Sequence, residues 1–207
     1  MATQQFQMTP HTDTTPVVVK VELELSGPQW CPRFPRGRSV ATLSPSFQLA
    51  VSSFLWALEQ AGANYSIANT FRPLEACHLM RYSWMIWKGL IKPENVPNCP
   101  GVLINWVHPL AADSQRAAFE MCKTYKITQL LTAPAATSNH TKNVAIDVSI
   151  SWVGILSAID GEGENMKIET SPRDNMNKEL WALGKTFGVI RYFQPEKDRP
   201  HWSIDGR

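Results

Sequence analysis

The sequence predicts an α+β fold in which helices pack on an antiparallel sheet. This class is favoured because strand-like and helix-like segments are interspersed, and because no regular βαβ series with a glycine-rich phosphate loop occurs. The length of 207 residues and the apolar content of 43% suit one domain with one core. We expect a polar leader over residues 1–16 and a single domain over residues 17–207.

The first half of the predicted domain alternates strands with amphipathic helices. The β-branched run VVVKVELEL (17–25) predicts a strand, and the segment 26–39, rich in Pro and Gly, predicts an irregular loop. A helix is predicted from the cap Ser44 to Gly62, because Pro45 suits its first position and apolar residues recur at helical spacing. A short strand follows at 64–71.

The second half contains three more helices and the strands that complete the sheet. A helix is predicted from Pro73 to about Gly89, and another over 111–125 with Asp113 as its cap. The remaining elements are strands at 143–152 and 165–170, with a turn at 160–165 between the second of these and the segment 153–159, a helix at 174–188, and strands at 189–193 and 201–204.

The composition argues against several classes of partner. The net charge is +2 and no basic run or basic helix face occurs, so nucleic acid is not expected as a partner. The sequence contains no apolar stretch of about 18 residues, so no membrane span is expected. The N-terminus lacks the features of a secretory signal. The four cysteines show no CxxC pairing, so we expect free or buried thiols, with two disulfides as the alternative outside the cytoplasm.

Two histidines and an aspartate form a candidate metal site. His140 and Asp147 lie seven residues apart at the start of a predicted strand, and His201 lies in a distant strand. Catalytic zinc sites use three ligands of this kind and keep a fourth position open for water. The spacing alone is weakly specific, because five histidines allow many accidental trios.

The residues around this trio match a two-part motif. The segment SNHTKNVAID matches the pattern SxHxxGxAxD at Ser138, His140, Ala145 and Asp147. The segment PHW at 200–202 matches the partner motif, and the segment TFRPLEACH supplies an arginine, Arg72. Together they resemble the D-Ala-D-Ala carboxypeptidase and L-alanyl-D-glutamate peptidase family of zinc peptidases. The resemblance covers roughly residues 45–207.

That family includes vancomycin-resistance peptidases and phage endolysins, and it shares its fold with hedgehog signalling domains. The resemblance therefore implies an α+β fold of the hedgehog and DD-peptidase type. Two positions depart from the motif. Asn143 stands where the motif has glycine, and Asn tolerates a left-handed backbone better than most residues. Ser203 follows HW where the family commonly has Glu, but that position is not a metal ligand.

The resemblance also implies roles for individual residues. Zn²⁺ would be held by His140, Asp147 and His201. The general base would be Asp198, three residues before the last ligand, with Glu196 in reserve.

Four further residues are expected at or near the substrate. Arg72 would hold a substrate carboxylate or polarise the scissile carbonyl, because its guanidinium suits either oxygen geometry. Ser138 would contact the metal-site backbone or the substrate, with capping of a turn as the alternative. Trp202 and Trp152 lie next to the metal ligands in sequence and are expected to border a substrate groove.

The resemblance implies a zinc metallopeptidase that acts on the stem peptides of bacterial peptidoglycan. It would be a carboxypeptidase or an endopeptidase, and the amide bond that it cleaves would be of L,D or D,D type. The expected protein is an antibacterial effector, paired with an immunity protein, or a phage endolysin. Either would be made in the cytoplasm without a signal peptide and would act in the periplasm or cell wall, after secretion-system delivery or holin release. The alternative is a zinc-binding, non-catalytic module of the hedgehog type, which would keep the ligands and lose the base.

Overall fold

A computed structural model describes residues 22–207 and confirms the α+β class. The helices are α1 (Pro45–Gln60), α2 (Leu74–Trp87), α3 (Ala111–Tyr125) and α4 (Lys178–Thr186). The strands are β1 (Glu24–Leu25), β2 (Asn64–Asn69), β3 (Ile104–Asn105), β4 (Ala145–Ser151), β5 (Leu156–Ile159), β6 (Asn165–Ile168), β7 (Ile190–Arg191) and β8 (His201–Ser203). The predicted leader, residues 1–16, and positions 17–21 of the predicted first strand lie outside the described residues.

The central sheet has four antiparallel strands in the order β2-β4-β8-β7. In its register Asp147 of β4 lies directly opposite His201 of β8. The strands β5 and β6 form a separate antiparallel hairpin, whereas β1 and β3 pair in parallel. The middle of the central sheet therefore carries two of the three predicted metal ligands.

The core consists of two hydrophobic clusters. The first packs α1 and α4 against the central sheet and the β5–β6 hairpin, with Phe54, Leu180 and Trp202 among its fully buried side chains. The second packs α2, α3 and the 3-10 helix Pro28–Arg33 around residues such as Met121. Residues from the second cluster and from the central sheet line a common cleft.

One predicted helix start and two predicted helix caps need correction. The fourth helix begins at Lys178 rather than at 174, because the Asn177 side chain accepts the amide hydrogens of residues 179 and 180 and caps the helix there. Asp113 is not a cap: its helix begins at Ala111, so Asp113 lies in the first turn and pairs with Arg116 at 3.0 Å. Ser44 precedes its helix as predicted, but its buried hydroxyl has no hydrogen-bond partner among the described residues.

The four cysteines are free thiols, so the alternative of two disulfides does not hold within residues 22–207. Cys31, Cys77 and Cys122 are buried, and Cys99 is partly exposed. Within the same residues, every helix is too short or too polar to cross a bilayer.

Candidate metal centre

The three predicted metal ligands come together at one point. The Nε2 atom of His140 lies 3.1 Å from Oδ1 of Asp147 and 3.2 Å from Nδ1 of His201. The third side of this triangle, from His201 Nδ1 to Asp147 Oδ1, is 3.1 Å. His201 is 61 positions from His140 and 54 positions from Asp147 along the chain, so the tertiary structure brings it to the other two.

Local backbone geometry explains how the ligands meet. Asp147 and His201 face each other across adjacent antiparallel strands, which places their side chains on the same face of the sheet. His140 lies in the 3-10 turn Asn139–Lys142, just before β4. Asn143 joins this turn to the strand with φ of 61°, so it adopts the left-handed conformation for which the family motif uses glycine.

Main-chain carbonyls hold both imidazole rings by their second nitrogens. Nδ1 of His140 lies 3.3 Å from the carbonyl oxygen of Thr70, and Nε2 of His201 lies 3.0 Å from that of Arg207. A carbonyl oxygen only accepts hydrogen bonds, so each of these nitrogens carries the ring proton. When the rings are neutral, the lone pairs of His140 Nε2 and His201 Nδ1 therefore lie on the side of Asp147, as metal-binding histidines require.

The geometry and the donor set fit a cation. Three lone-pair-bearing atoms converge within 3.2 Å of one another in a site where His140 is 2% exposed. Ligand atoms on a tetrahedral ion with bonds of about 2.0–2.1 Å would lie about 3.3–3.4 Å apart, close to the spacing observed. Burial raises the pKa of Asp147, but in the metal-free site hydrogen bonds from the protonated rings of His140 and His201 together outweigh burial and keep that pKa well below its usual range. The group could therefore hold a metal ion.

Asp198 lies beside this group. Its Oδ2 atom is 4.0 Å from Nδ1 of His201, and its side chain is 48% exposed. Burial, and next the charge of Asp147, raise the pKa of Asp198. Asp198 lines the same cleft as the three ligands, whereas the reserve candidate Glu196 is not among the residues that line it.

The cleft has a volume of about 700 Å³ and contains Arg72 and Ser138 together with the three ligands. The main-chain amide of Arg72 donates to the carbonyl of His140 at 3.3 Å, which ties the arginine to the metal ligand. The Ser138 hydroxyl is buried without a hydrogen-bond partner among the described residues, so it does not cap the turn that follows it.

Several cationic residues of the cleft were missed by the sequence analysis. They are Arg36, Lys126, Lys142, Lys197 and Arg207, which join Arg72 in the cleft wall. Two carboxylates, Asp147 and Asp198, face these six cations. The cations are dispersed along the sequence, so no local run of basic residues predicts a basic cleft.

Trp202 does not border a substrate groove, and this expectation was wrong. Its side chain is 0% exposed and packs 5.5 Å from the ring of Phe54 in the first core cluster. Side chains alternate along a strand, so the residue after the inward-facing ligand His201 points to the opposite face. Trp152 is also buried in that core cluster, at 5% exposure.

The other two described histidines lie outside the cleft. His78 is buried on α2 against the ring of Tyr82, and its burial lowers its pKa. His108 bonds to the hydroxyl of Ser26 at 3.0 Å.

No family model matches this chain, and no curated protein matches it either.

Proposed function

We propose that this protein is a zinc-dependent peptidase that hydrolyses an amide bond in the stem peptides of bacterial peptidoglycan. The observation that carries the proposal is one cleft that contains the His140, Asp147 and His201 group, a carboxylate 4.0 Å from it, and an arginine. These are the parts that hydrolysis of an amide needs: a metal site, a proton acceptor and a cation for the developing negative charge.

Zinc is the metal that the donor set favours. Two imidazole nitrogens and one carboxylate oxygen form the ligand set of several catalytic zinc sites, which keep another position for water. The second nitrogens of both rings are already bonded to carbonyl oxygens, which prepares the rings for a metal. When bound, zinc would polarise the scissile carbonyl and make water a stronger acid.

Asp198 would accept the proton of the attacking water and deliver it to the leaving amine. Its position beside His201 and its partial exposure suit contact with both water and substrate. Its raised pKa in the metal-free site makes it a better proton acceptor than an ordinary surface carboxylate. Glu196 lies outside the cleft lining and makes no such contact among the described residues.

Arg72 would stabilise negative charge on the substrate. It lies in the cleft wall and has no ion pair with a carboxylate among residues 22–207, so its charge is available to a ligand. A guanidinium can donate two parallel hydrogen bonds to one carboxylate or one to a carbonyl oxygen.

The substrate class rests on the motif resemblance together with the size and charge of the cleft. A volume of about 700 Å³ is in the range of sites that enclose small ligands, and its basic wall suits peptides that carry carboxylates. Peptidoglycan stem peptides are short and acidic. An effector neutralised by an immunity protein and a phage endolysin both fit this activity, and both would act in the periplasm or cell wall.

Digestion of purified peptidoglycan followed by mass spectrometry of the muropeptides tests the proposal. The zinc-loaded protein should release fragments that differ by cleavage of one amide bond, and the same fragments would show whether the bond is of L,D or D,D type. Asp198→Ala should lower cleavage by about a hundredfold or more while zinc content stays near one equivalent, and Glu196→Ala serves as the matched control.

Two results would contradict the proposal. A purified protein that holds less than about half an equivalent of zinc, and gains none on titration, would remove the metal site. A protein that binds zinc stoichiometrically but cleaves no muropeptide would be a binding module of the hedgehog type rather than an enzyme.

A further inference from the structure

Arg36 and Arg72 are neighbours across a backbone bridge. The chain at Gly37 pairs in antiparallel fashion with the chain at Phe71, through two main-chain hydrogen bonds of 2.8 Å. This bridge brings the chain at Arg36 close to the chain at Arg72, and the charge of Arg72 acts on Arg36. A Cβ atom at Gly37 would come within 2.9 to 3.1 Å of three neighbouring side-chain atoms, so glycine allows the two segments to approach this closely.

The bridge is joined directly to the metal ligands. The main-chain amide of Thr70 donates a hydrogen bond to the carbonyl of Gly37, and the carbonyl of Thr70 accepts a hydrogen bond from Nδ1 of His140. The next residue but one, Arg72, bonds through its amide to the carbonyl of His140. The two arginines are therefore held at a fixed place relative to the metal centre, and both line the cleft.

This pair of like charges has no carboxylate partner within the part of the chain that the structure describes. Neither guanidinium forms an ion pair there. Arg36 is an exposed residue, but partial burial and next the charge of Arg72 lower its pKa, so its cation lies in an unfavourable environment. Like charges that lie close together repel each other, so this arrangement costs free energy in the absence of a ligand.

Unpartnered polar atoms in the same cleft support a ligand there. The Nε atom of Arg72, the hydroxyl of Ser138 and the hydroxyl of Tyr125 are all buried without a hydrogen-bond partner among residues 22–207. Burial raises the pKa of the Tyr125 hydroxyl, and the neighbouring Cys31 thiol raises it further. All three residues line the cleft, and buried polar groups are normally hydrogen-bonded.

We propose that Arg36 and Arg72 together bind a free carboxylate of the ligand next to the metal centre. The inference rests on the proposed function, because the carboxylate would belong to the peptide whose amide bond is cleaved. Arg36 then determines specificity: a peptide with a free carboxylate near the scissile bond is preferred over the same peptide with an amide there. Two guanidinium groups offer more donors than one carboxylate needs, and Ser138 and Tyr125 lie in the same wall.

Binding measurements on the full, zinc-loaded protein test this inference without requiring turnover. The probes are N-acetyl-D-alanine, its C-terminal amide and inorganic phosphate, and affinities come from NMR titrations. The wild-type protein should bind the carboxylate at least about tenfold more tightly than the amide, and Arg36→Gln should reduce that ratio about tenfold. Arg36→Lys should recover part of it, because lysine keeps the charge but lacks the planar fork.

Arg38→Gln is the matched control. Arg38 is an exposed arginine of the same segment that does not line the cleft, so its loss should leave the ratio unchanged. Thermal unfolding provides a second readout. Arg36→Gln relieves the repulsion from Arg72, so its melting temperature should equal or exceed that of the wild-type protein, whereas loss of a structural ion pair would lower it.

The outcomes separate this inference from the proposed function. A ratio that is the same in Arg36→Gln and wild type overturns the inference, even if peptidoglycan is cleaved. A site that prefers phosphate over the carboxylate in an Arg36-dependent way also overturns it. An Arg36-dependent carboxylate preference in a protein that cleaves no muropeptide supports the carboxylate site and overturns the peptidase.

Discussion

At the residue scale, the group that could hold a metal ion already has its side chains oriented for one. Carbonyl oxygens of Thr70 and Arg207 orient the rings of His140 and His201, so both free nitrogens face the Asp147 carboxylate. A cation that binds there does not need to reorganise these side chains. Preorganisation of this kind increases metal affinity, because the ordering has been completed during folding.

The same residues predict that a rise in pH changes the stability of the metal-free protein and of the zinc-loaded protein in opposite directions. Burial lowers the pKa of His201, but the hydrogen bond and the charge of Asp147 outweigh it, so the pKa lies above the usual 6.5. The stabilisation from protonated His201 is therefore complete below about pH 6.5 and is lost as the pH rises through the higher folded-state value. The lowered pKa of Asp147 affects stability only at acidic pH, near and below its unfolded value.

Zinc reverses this trend, because it binds unprotonated imidazoles and competes with protons for them. We expect the difference in melting temperature between zinc-loaded and metal-free protein to widen from pH 6 to pH 8. Differential scanning fluorimetry at fixed ionic strength, with excess zinc or with chelator, measures it. A difference that is constant or narrows over this range would contradict the prediction.

At the element scale, strand β8 serves two functions through its alternation. His201 and Ser203 point to one face of the sheet and Trp202 to the other, where its ring lies against Phe54 and within 2.8 Å of the position that a Cβ atom on Gly184 would take. The metal ligand is thus anchored by a large core side chain next to it.

Replacement of that anchor should be costly. Trp202→Ala should lower the free energy of unfolding by about 3–5 kcal/mol, because it leaves a cavity in a fully buried position. Denaturant unfolding measures this change. Trp56→Ala is the control: Trp56 is 60% exposed on α1, so its removal should change stability by less than about 0.5 kcal/mol. Similar losses in the two variants would be inconsistent with the packing described.

The turn that leads into β4 offers a second test at this scale. Asn143 has φ of 61°, and its side-chain amide donates to the carbonyl of Thr42. Asn143→Gly and Asn143→Ala both remove that hydrogen bond, but alanine also strains the left-handed backbone. Asn143→Ala should therefore be less stable than Asn143→Gly by about 1–2 kcal/mol and should bind zinc more weakly. Equal stabilities in urea unfolding would argue against this backbone requirement.

At the scale of the whole molecule, the candidate metal centre joins two regions that are distant in sequence: the turn before β4 together with β4, and β8. The two hydrophobic clusters lie elsewhere and consist of apolar side chains that need no metal. The fold should therefore persist without metal, in contrast to small zinc domains that unfold when it is removed.

Chelation should lower the melting temperature without unfolding the protein. At a thousandfold excess of zinc over its dissociation constant, binding adds about 4 kcal/mol, which corresponds to roughly 8–16 °C for a domain of this size. Circular dichroism before and after treatment with chelator should show the same helix content. Loss of the helical signal at 25 °C would show that the metal is required for folding.

Local signals predicted most elements of this fold. Pro45 at the start of α1 and the glycines after three helices, Gly62, Gly89 and Gly188, were identified correctly, and each glycine has positive φ. These features depend on backbone conformations within a few residues. The start of α4 was missed because several residues before it can cap a helix, and the hydrogen bonds of Asn177 decide between them.

The sequence by itself determined the fold class, the helices and the identities of His140, Asp147 and His201 as a candidate trio. The tertiary structure alone decided that their donor atoms meet within 3.2 Å, that Trp202 belongs to the core, and that the chain at Gly37 is bridged to the chain at Phe71. The physical reason is the range of the interactions. Helix caps and strand alternation act over a few residues, whereas these contacts depend on sheet register and on bridges that close over 30 to 60 residues.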